Sequence, residues 1–272
     1  MKTIVIAGGN SGIGREAART LLADGHRLVL LGRDPRKGEA ALASFGAAAD
    51  RASFIAADLS THDGVRDAAR RVLDQHENID ALIHTTGVLI MAESRTADGL
   101  HPFFATNYLS RYHLTQLLLP TLRRAERPLV LMMTAAVAPG EEADFARFPE
   151  FPAFNFNRDR KPVQLGNHHY AAHLTRTEPG LAAGVINAGN VKTDIMRAAP
   201  WYIRAGAKAL GPILFDSVET AARNIVEATR RDTWQSPLYW GKPGRFEQRA
   251  PITLDTATTR ALMDTSHALT GA

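Results

Sequence analysis

Residues 3–15 read TIVIAGGNSGIGR, and the parsing of this stretch decides the fold. Thr3 to Ala7 is a short apolar run rich in β-branched residues, as suits a strand buried on both faces. It passes directly into Gly8-Gly9-Asn10-Ser11-Gly12-Ile13-Gly14-Arg15, where a segment of helical period begins and runs to Ala23. Glycines let such a turn tighten and let backbone N–H groups approach an anion, which then lies at the positive end of the following helix. Strand, glycine turn and helix in this order predict a dinucleotide pyrophosphate site. The residues of this stretch expected to bind the dinucleotide are Gly8, Asn10, Ser11, Gly12, Ile13, Gly14 and, toward a 2′-phosphate, Arg15.

Outward from this loop the chain alternates apolar runs with longer helical segments. Strands are expected at Thr3 to Ala7, Leu28 to Leu31, Ser53 to Ala56, Ala81 to His84, Leu129 to Met133 and Gly184 to Asn187. Helices are expected over Arg15 to Ala23, Lys37 to Phe45, Gly64 to His76 and Phe103 to Arg124. This rhythm predicts an α/β fold: a single Rossmann-like domain over residues 1–272, with a doubly wound parallel sheet and flanking helices. Residues 138–165, holding Pro139, Pro149, Pro152 and Pro162, break the rhythm and are expected to form a long active-site loop.

At the end of the second strand stands Leu31-Gly32-Arg33-Asp34. An acidic residue there would take the ribose 2′-OH of NAD; Arg33 instead suits a 2′-phosphate, so NADP(H) is expected over NAD(H). The alternative is that Asp34 takes the hydroxyl and Arg33 is an ordinary surface residue. The totals agree with a globular domain, at 45% hydrophobic and 22% charged residues. A net charge of +4 without a clustered basic stripe speaks against a nucleic-acid partner. The chain has no cysteine, which excludes disulfides and thiolate metal sites. No run approaches the ~20 apolar residues of a membrane span, and MKTIVIAGG lacks the pattern of a signal peptide. A cytoplasmic location is the expectation.

Together these residues resemble the short-chain dehydrogenase/reductase family, in particular its retinol-dehydrogenase-like branch. Ala7-Gly8 with Gly12-Ile13-Gly14 resembles the family's TGxxxGIG, with alanine for threonine. Asp58-Leu59 matches the pair that packs on adenine, and His84-Thr85-Thr86-Gly87 stands where the family has Asn-Asn-Ala-Gly. Phe104-Ala105-Thr106-Asn107-Tyr108-Leu109 is similar to the helix of the active-site asparagine. Asn187 to Asp194 resembles the Pro-Gly-x-x-x-Thr segment, with Ala188 replacing proline, and ALMDTSHALTG resembles the branch's ending. The resemblance adds Asp58, Leu59, Thr85, Gly87, Gly189, Val191 and Thr193 to the cofactor-binding set.

The resemblance also implies hydride transfer between nicotinamide and a carbonyl or alcohol. A tyrosine moves the proton, a lysine four residues later lowers its pKa and grips the ribose, a serine holds the substrate oxygen, and an asparagine supports a water chain. Asn107 is present, and Thr134 falls at the serine position. The pair falls in GNHHYAAHL, residues 166–174, in one of two registers. Tyr170 is the family tyrosine with Leu174 in place of lysine, or Gly166 replaces the tyrosine and Tyr170 the lysine. Neither keeps the pair. Without the cation, worth roughly 4 kcal/mol at 4 Å and an effective dielectric near 20, Tyr170 would titrate near ~10 and favour reduction over oxidation. His169 and His173 offer a second proton route; spaced i, i+4 they lack a third ligand, so no metal is expected.

The leading expectation is an NADP(H)-dependent reductase of a carbonyl, C=N or C=C bond in a small apolar substrate of secondary-metabolite type, with an altered proton-donor set. The alternatives are a non-redox isomerase, dehydratase or cyclase on the same fold, and an inactive NADP(H)-binding regulatory protein. Residues 196–215 stand where the family has a substrate lid. The family pairs into a homodimer through the helices of Asn107 and the tyrosine; a short second helix, ending at Pro179-Gly180, would weaken that interface.

Overall fold

The run at Thr3–Ala7 forms β1, in which Ile4, Val5, Ile6 and Ala7 are fully enclosed. The structure, a computed structural model, describes residues 1–138, 141, 143–191, 216–233, 235–241, 243–245, 252 and 254–272. Among these, β2 (Arg27–Gly32), β3 (Ala52–Ala56), β4 (Ala81–His84), β5 (Leu129–Thr134), β6 (Ala182–Asn187) and β7 (Leu238–Trp240) complete one sheet in the order β3-β2-β1-β4-β5-β6-β7. Every pairing is parallel. The helices are α1 (Gly12–Ala23), α2 (Pro35–Ala43), α3 (His62–Leu73), α4 (Pro102–Phe104), α5 (Ser110–Leu122), α6 (Phe156–Thr177), α7 (Val218–Arg230) and α8 (Thr256–Thr270).

Strand side chains alternate between the two faces, so each face has its own core. Ile4, Ile6, Leu28 and Leu30 pack with Ala17, Leu21, Ala41 and Ile225 of α1, α2 and α7. Val5, Ala7, Val29 and Leu31 share the other core with Val65, Leu114, Leu118 and Leu174 of α3, α5 and α6. The strand order turns back at β1, which pairs with β2 on one side and β4 on the other. Connections leave in opposite directions there, opening a crevice at the carboxyl ends of the strands.

Two expectations are corrected. The long loop does not extend through residue 165, because helix α6 starts at Phe156. Asn155 caps it by accepting from Arg158 N, and the first turn carries Asp159, favourable at a helix N-terminus. Pro162 lies inside the helix, where a proline removes one backbone bond and costs about 3 kcal/mol; burial of Pro162, Val163 and Leu165 offsets it. The helix is therefore 22 residues long rather than short, although it ends at Thr177 as expected. Strand β7, with three residues, has no counterpart among the expected runs because it is too short to show a period.

Candidate active site

The glycine loop spans the gap between β1 and α1. Gly8 N donates to Leu31 O at 2.8 Å, while Thr85 N and Thr86 N both donate to Ala7 O, so the ends of β1, β2 and β4 are drawn together. Gly8 adopts φ +89°, and a Cβ there would lie 2.7 Å from Thr85 Oγ1. At Gly14 a Cβ would stand 2.4 Å from Gly8 O, so α1 can seat against the turn only without a side chain. Ser11, the N-cap of α1, makes no side-chain cap bond, and the first turn holds no acidic residue. The first amides of the helix thus keep their partial positive charge. A diphosphate fits this cradle. Asn10 and Ile13 are buried around it and Arg15 is exposed on the first turn of α1.

At the end of β2, Arg33 is exposed. Asp34 is engaged elsewhere: its Oδ1 accepts from Arg36 N at 3.0 Å and Lys37 N at 3.3 Å, capping α2. Asn10 Nδ2 reaches Asp34 O at 3.5 Å and ties this corner to the glycine loop. Asp58 caps its own turn by accepting from Ser60 N and Oγ, while Leu59 is buried beside it.

Toward the other half of the crevice lie the ends of β4, β5 and β6. Thr85 Oγ1 donates to Ala7 O, and Gly87 is exposed two residues beyond it. Asn107 sits in a π-helical turn, Ala105–Leu109, between α4 and α5, a local expansion of the kind found at functional positions. Its amide bonds the loop after β4, accepting from Val88 N at 2.9 Å and donating to Val88 O at 3.0 Å. Thr134 ends β5, buried, with its hydroxyl donating to Ala135 O at 2.8 Å. At the end of β6, Asn187 Oδ1 accepts from Gly189 N, and Val191 beyond it is buried and bridges to Asp216. Thr193 and residues 196–215 lie outside the described residues.

The structure does not bring Tyr170, His169 or His173 to this crevice. Tyr170 is 0% exposed and belongs to the core between α5 and α6. Its hydroxyl donates to Tyr112 O at 3.4 Å and accepts from Gln116 Nε2 at 3.2 Å, both well beyond Asn107 along the helix toward the base of the sheet. Burial pushes its pKa far above the ordinary value, so it remains a phenol. His169 turns the other way, with Nδ1 2.7 Å from Thr259 Oγ1 of α8 and its ring edge-on to Phe145. Burial holds it neutral, down to about 4. His173, one turn further, is half-buried and also depressed chiefly by burial. These groups pack between α6 and its neighbours, because helix α6 carries them down the sheet away from the crevice.

Two residues at the crevice were missed in the sequence. Asn167 is the α6 side chain that meets Asn107: its Nδ2 donates to Asn107 O at 3.1 Å and to Val163 O at 2.8 Å. Arg111 lies one helical turn past Asn107, 3% exposed, with Nη1 donating to Asn167 Oδ1 at 3.0 Å and Nη2 to Thr86 O at 2.8 Å. Burial pushes its guanidinium down to about 9, still a cation at neutral pH. The available signal was a lone arginine in the apolar helix LSRYHLTQLLLP, spaced i, i+4 from Asn107.

Comparison with known proteins identifies the family. A family model described as short chain dehydrogenase matches residues 2–142. The chain belongs to the short-chain dehydrogenase family, whose members are oxidoreductases that use a nicotinamide cofactor. It is similar to polyprenol dehydrogenase of Mus musculus, 28% identical over 255 residues and covering 90% of this chain and 75% of that protein. Retinol dehydrogenase 14 of Mus musculus is 26% identical, covering 99% of this chain and 86% of the relative. These relatives support the retinol-dehydrogenase-like branch. Among solved structures, the Pseudomonas aeruginosa RhlG/NADP active-site complex aligns with a TM-score of 0.69 at 22% identity, over 90% of this chain and 96% of that one. A short chain dehydrogenase from Burkholderia cenocepacia in complex with NADP aligns with a TM-score of 0.64 at 19% identity, over 84% and 90%. At these identities the solved structures speak for the fold.

Proposed function

We propose that this protein is an NADP(H)-dependent reductase of an apolar carbonyl compound. The observation that carries the reading is the cradle of Gly8 and Gly14 under an uncapped helix N-terminus, with the Thr134 hydroxyl on the same sheet edge. The bound nicotinamide would supply the hydride. For the 2′-phosphate, Arg33 is an exposed cation with Arg15, Arg36 and Lys37 also exposed nearby, and the occupation of Asp34 by the α2 amides supports NADP(H) over NAD(H). Thr134 Oγ1 would turn from Ala135 O to donate to the substrate oxygen as charge develops there. Asn107 and Asn167 hold the loop after β4 and helix α6 in register around that point.

If Asn167, which reaches Asn107 O, stands where the family has lysine, the tyrosine position four residues earlier is Val163. This register differs from both considered from the sequence, and it leaves no tyrosine to deliver the proton, which then comes from solvent or from the substrate itself. Reduction tolerates this better than oxidation, since it needs no ionised phenol. The names of the relatives, polyprenol and retinol dehydrogenases, support an apolar isoprenoid-like substrate. Valine at the tyrosine position also favours a second reading, an NADP(H)-binding protein without turnover.

The test is loss of nicotinamide absorbance when NADPH is offered with a panel of apolar aldehydes and ketones, including retinal and polyprenals. Turnover faster with NADPH than NADH, with the preference reduced in Arg33→Asp, is expected. NADPH binding without turnover on any member would favour the second reading, and faster turnover with NADH would overturn the cofactor assignment.

A further inference from the structure

The cationic groups of α6 do not serve the crevice. Its single lysine, Lys161, pairs with Glu141 at 3.5 Å, Arg158 closes on Asp159 together with Arg147 from the preceding turn, Arg160 donates to Gln164 Oε1 at 3.0 Å, and Arg176 is exposed in the last turn. The buried cation beside Asn107 comes instead from α5. Arg111 is enclosed with two neutral acceptors, Thr86 O and Asn167 Oδ1, and its Nε has no partner among the described residues. Thr86 Oγ1, next to it, is also buried without a partner. A guanidinium withdrawn from water with neither a carboxylate nor a full set of acceptors is expensive, and such a group persists where a ligand completes it.

Its position says which ligand. Thr86 follows Thr85, which packs on Gly8 and Gly14, so the guanidinium lies beside the loop that bears on the diphosphate cradle. It lies toward α6 and Asn107, away from Arg33 and the adenosine corner. Resting on the dinucleotide-binding reading above, we infer that Arg111 supplies from α5 the positive charge that holds the nicotinamide-side ribose, in place of a lysine on α6. A guanidinium keeps its charge at neutral pH and offers five donors, so hydroxyls of a ribose can be held while Thr86 O and Asn167 Oδ1 remain bonded. The charge has moved between neighbouring helices, with Asn167 as the bridge.

The experiment is titration calorimetry of NADPH and of adenosine 2′,5′-bisphosphate, which lacks the nicotinamide ribose, against wild type, Arg111→Met and Arg111→Met/Asn167→Lys. Circular dichroism and melting report on folding. Arg111→Met should weaken NADPH about tenfold or more and leave the bisphosphate unchanged. The double variant, with an ammonium reaching in from α6, should recover NADPH affinity at least in part. Unchanged NADPH affinity in folded Arg111→Met, equal loss of both ligands, or a folded double variant without recovery would overturn the inference. So would failure of both variants to fold, which makes Arg111 a structural strut. Failure of wild type to bind either ligand would instead remove the cofactor reading itself.

Discussion

Tyr170 has the residue type for proton transfer but not the place. Its ring packs at 5.1 Å from that of Tyr112 and its hydroxyl is spent on α5, so the phenol contributes packing and two long hydrogen bonds. Tyr170→Phe should therefore leave NADPH affinity and any turnover unchanged and lower stability by about 1 kcal/mol, a shift of a few degrees in melting temperature. Loss of turnover with unchanged melting would return Tyr170 to the chemistry. Asn107 and Thr134 could be assigned to the carboxyl end of the sheet from the sequence because the helical segment after β4 and strand β5, which carry them, were legible. It could not place residues 166–174, because their direction depends on where α6 begins, and a proline at 162 suggested the wrong start. Arg111 escaped for a different reason: a buried charge looks like any surface arginine until its neighbours are known.

At the scale of elements, β1 through β6 could be read from apolar runs because a parallel sheet covered on both faces demands them. The early start of α6 could not, because it depends on side-chain bonds around Asp159 that residue type and period do not show. Asp159 is fully buried, bonded by Arg147 Nε and Arg158 Nε at 2.8 Å each and by Asn155 N. Burial alone would raise its pKa; the bonds from Arg158, Asn155 and Arg147 outweigh it and hold the carboxyl at about 2. That is below the unfolded value of ~3.9, so the stabilisation is fully present above about pH 4 and is lost as pH falls toward 2. Asp159→Asn should cost about 2 kcal/mol at pH 7, and melting curves of variant and wild type should converge between pH 4 and 2. A gap independent of pH would show that the ion pairs are not what anchors the helix.

At the scale of the molecule, α8 lies over the faces of α5 and α6 through which the family's dimer was expected. Tyr108 OH meets Ser266 Oγ at 2.8 Å, Tyr112 OH donates to Ala272 O, and Leu262 and Met263 join the core. With that surface covered, the 29.6 kDa chain should elute as a monomer from a sizing column, and a dimer crosslinked through α5 or α6 would contradict this. Among the described residues no helix is long and apolar enough to cross a membrane. Fold, loop and family all lead to one physical claim, that the β1–α1 turn cups a dinucleotide. Isothermal titration with NADPH and NADH, alongside Gly14→Ala, tests it most directly. The expected result is micromolar or tighter NADPH binding, weaker NADH binding, and loss of both in the variant, whose Cβ would crowd Gly8 O at 2.4 Å. No heat of binding from wild type with either nucleotide at millimolar concentration would contradict it.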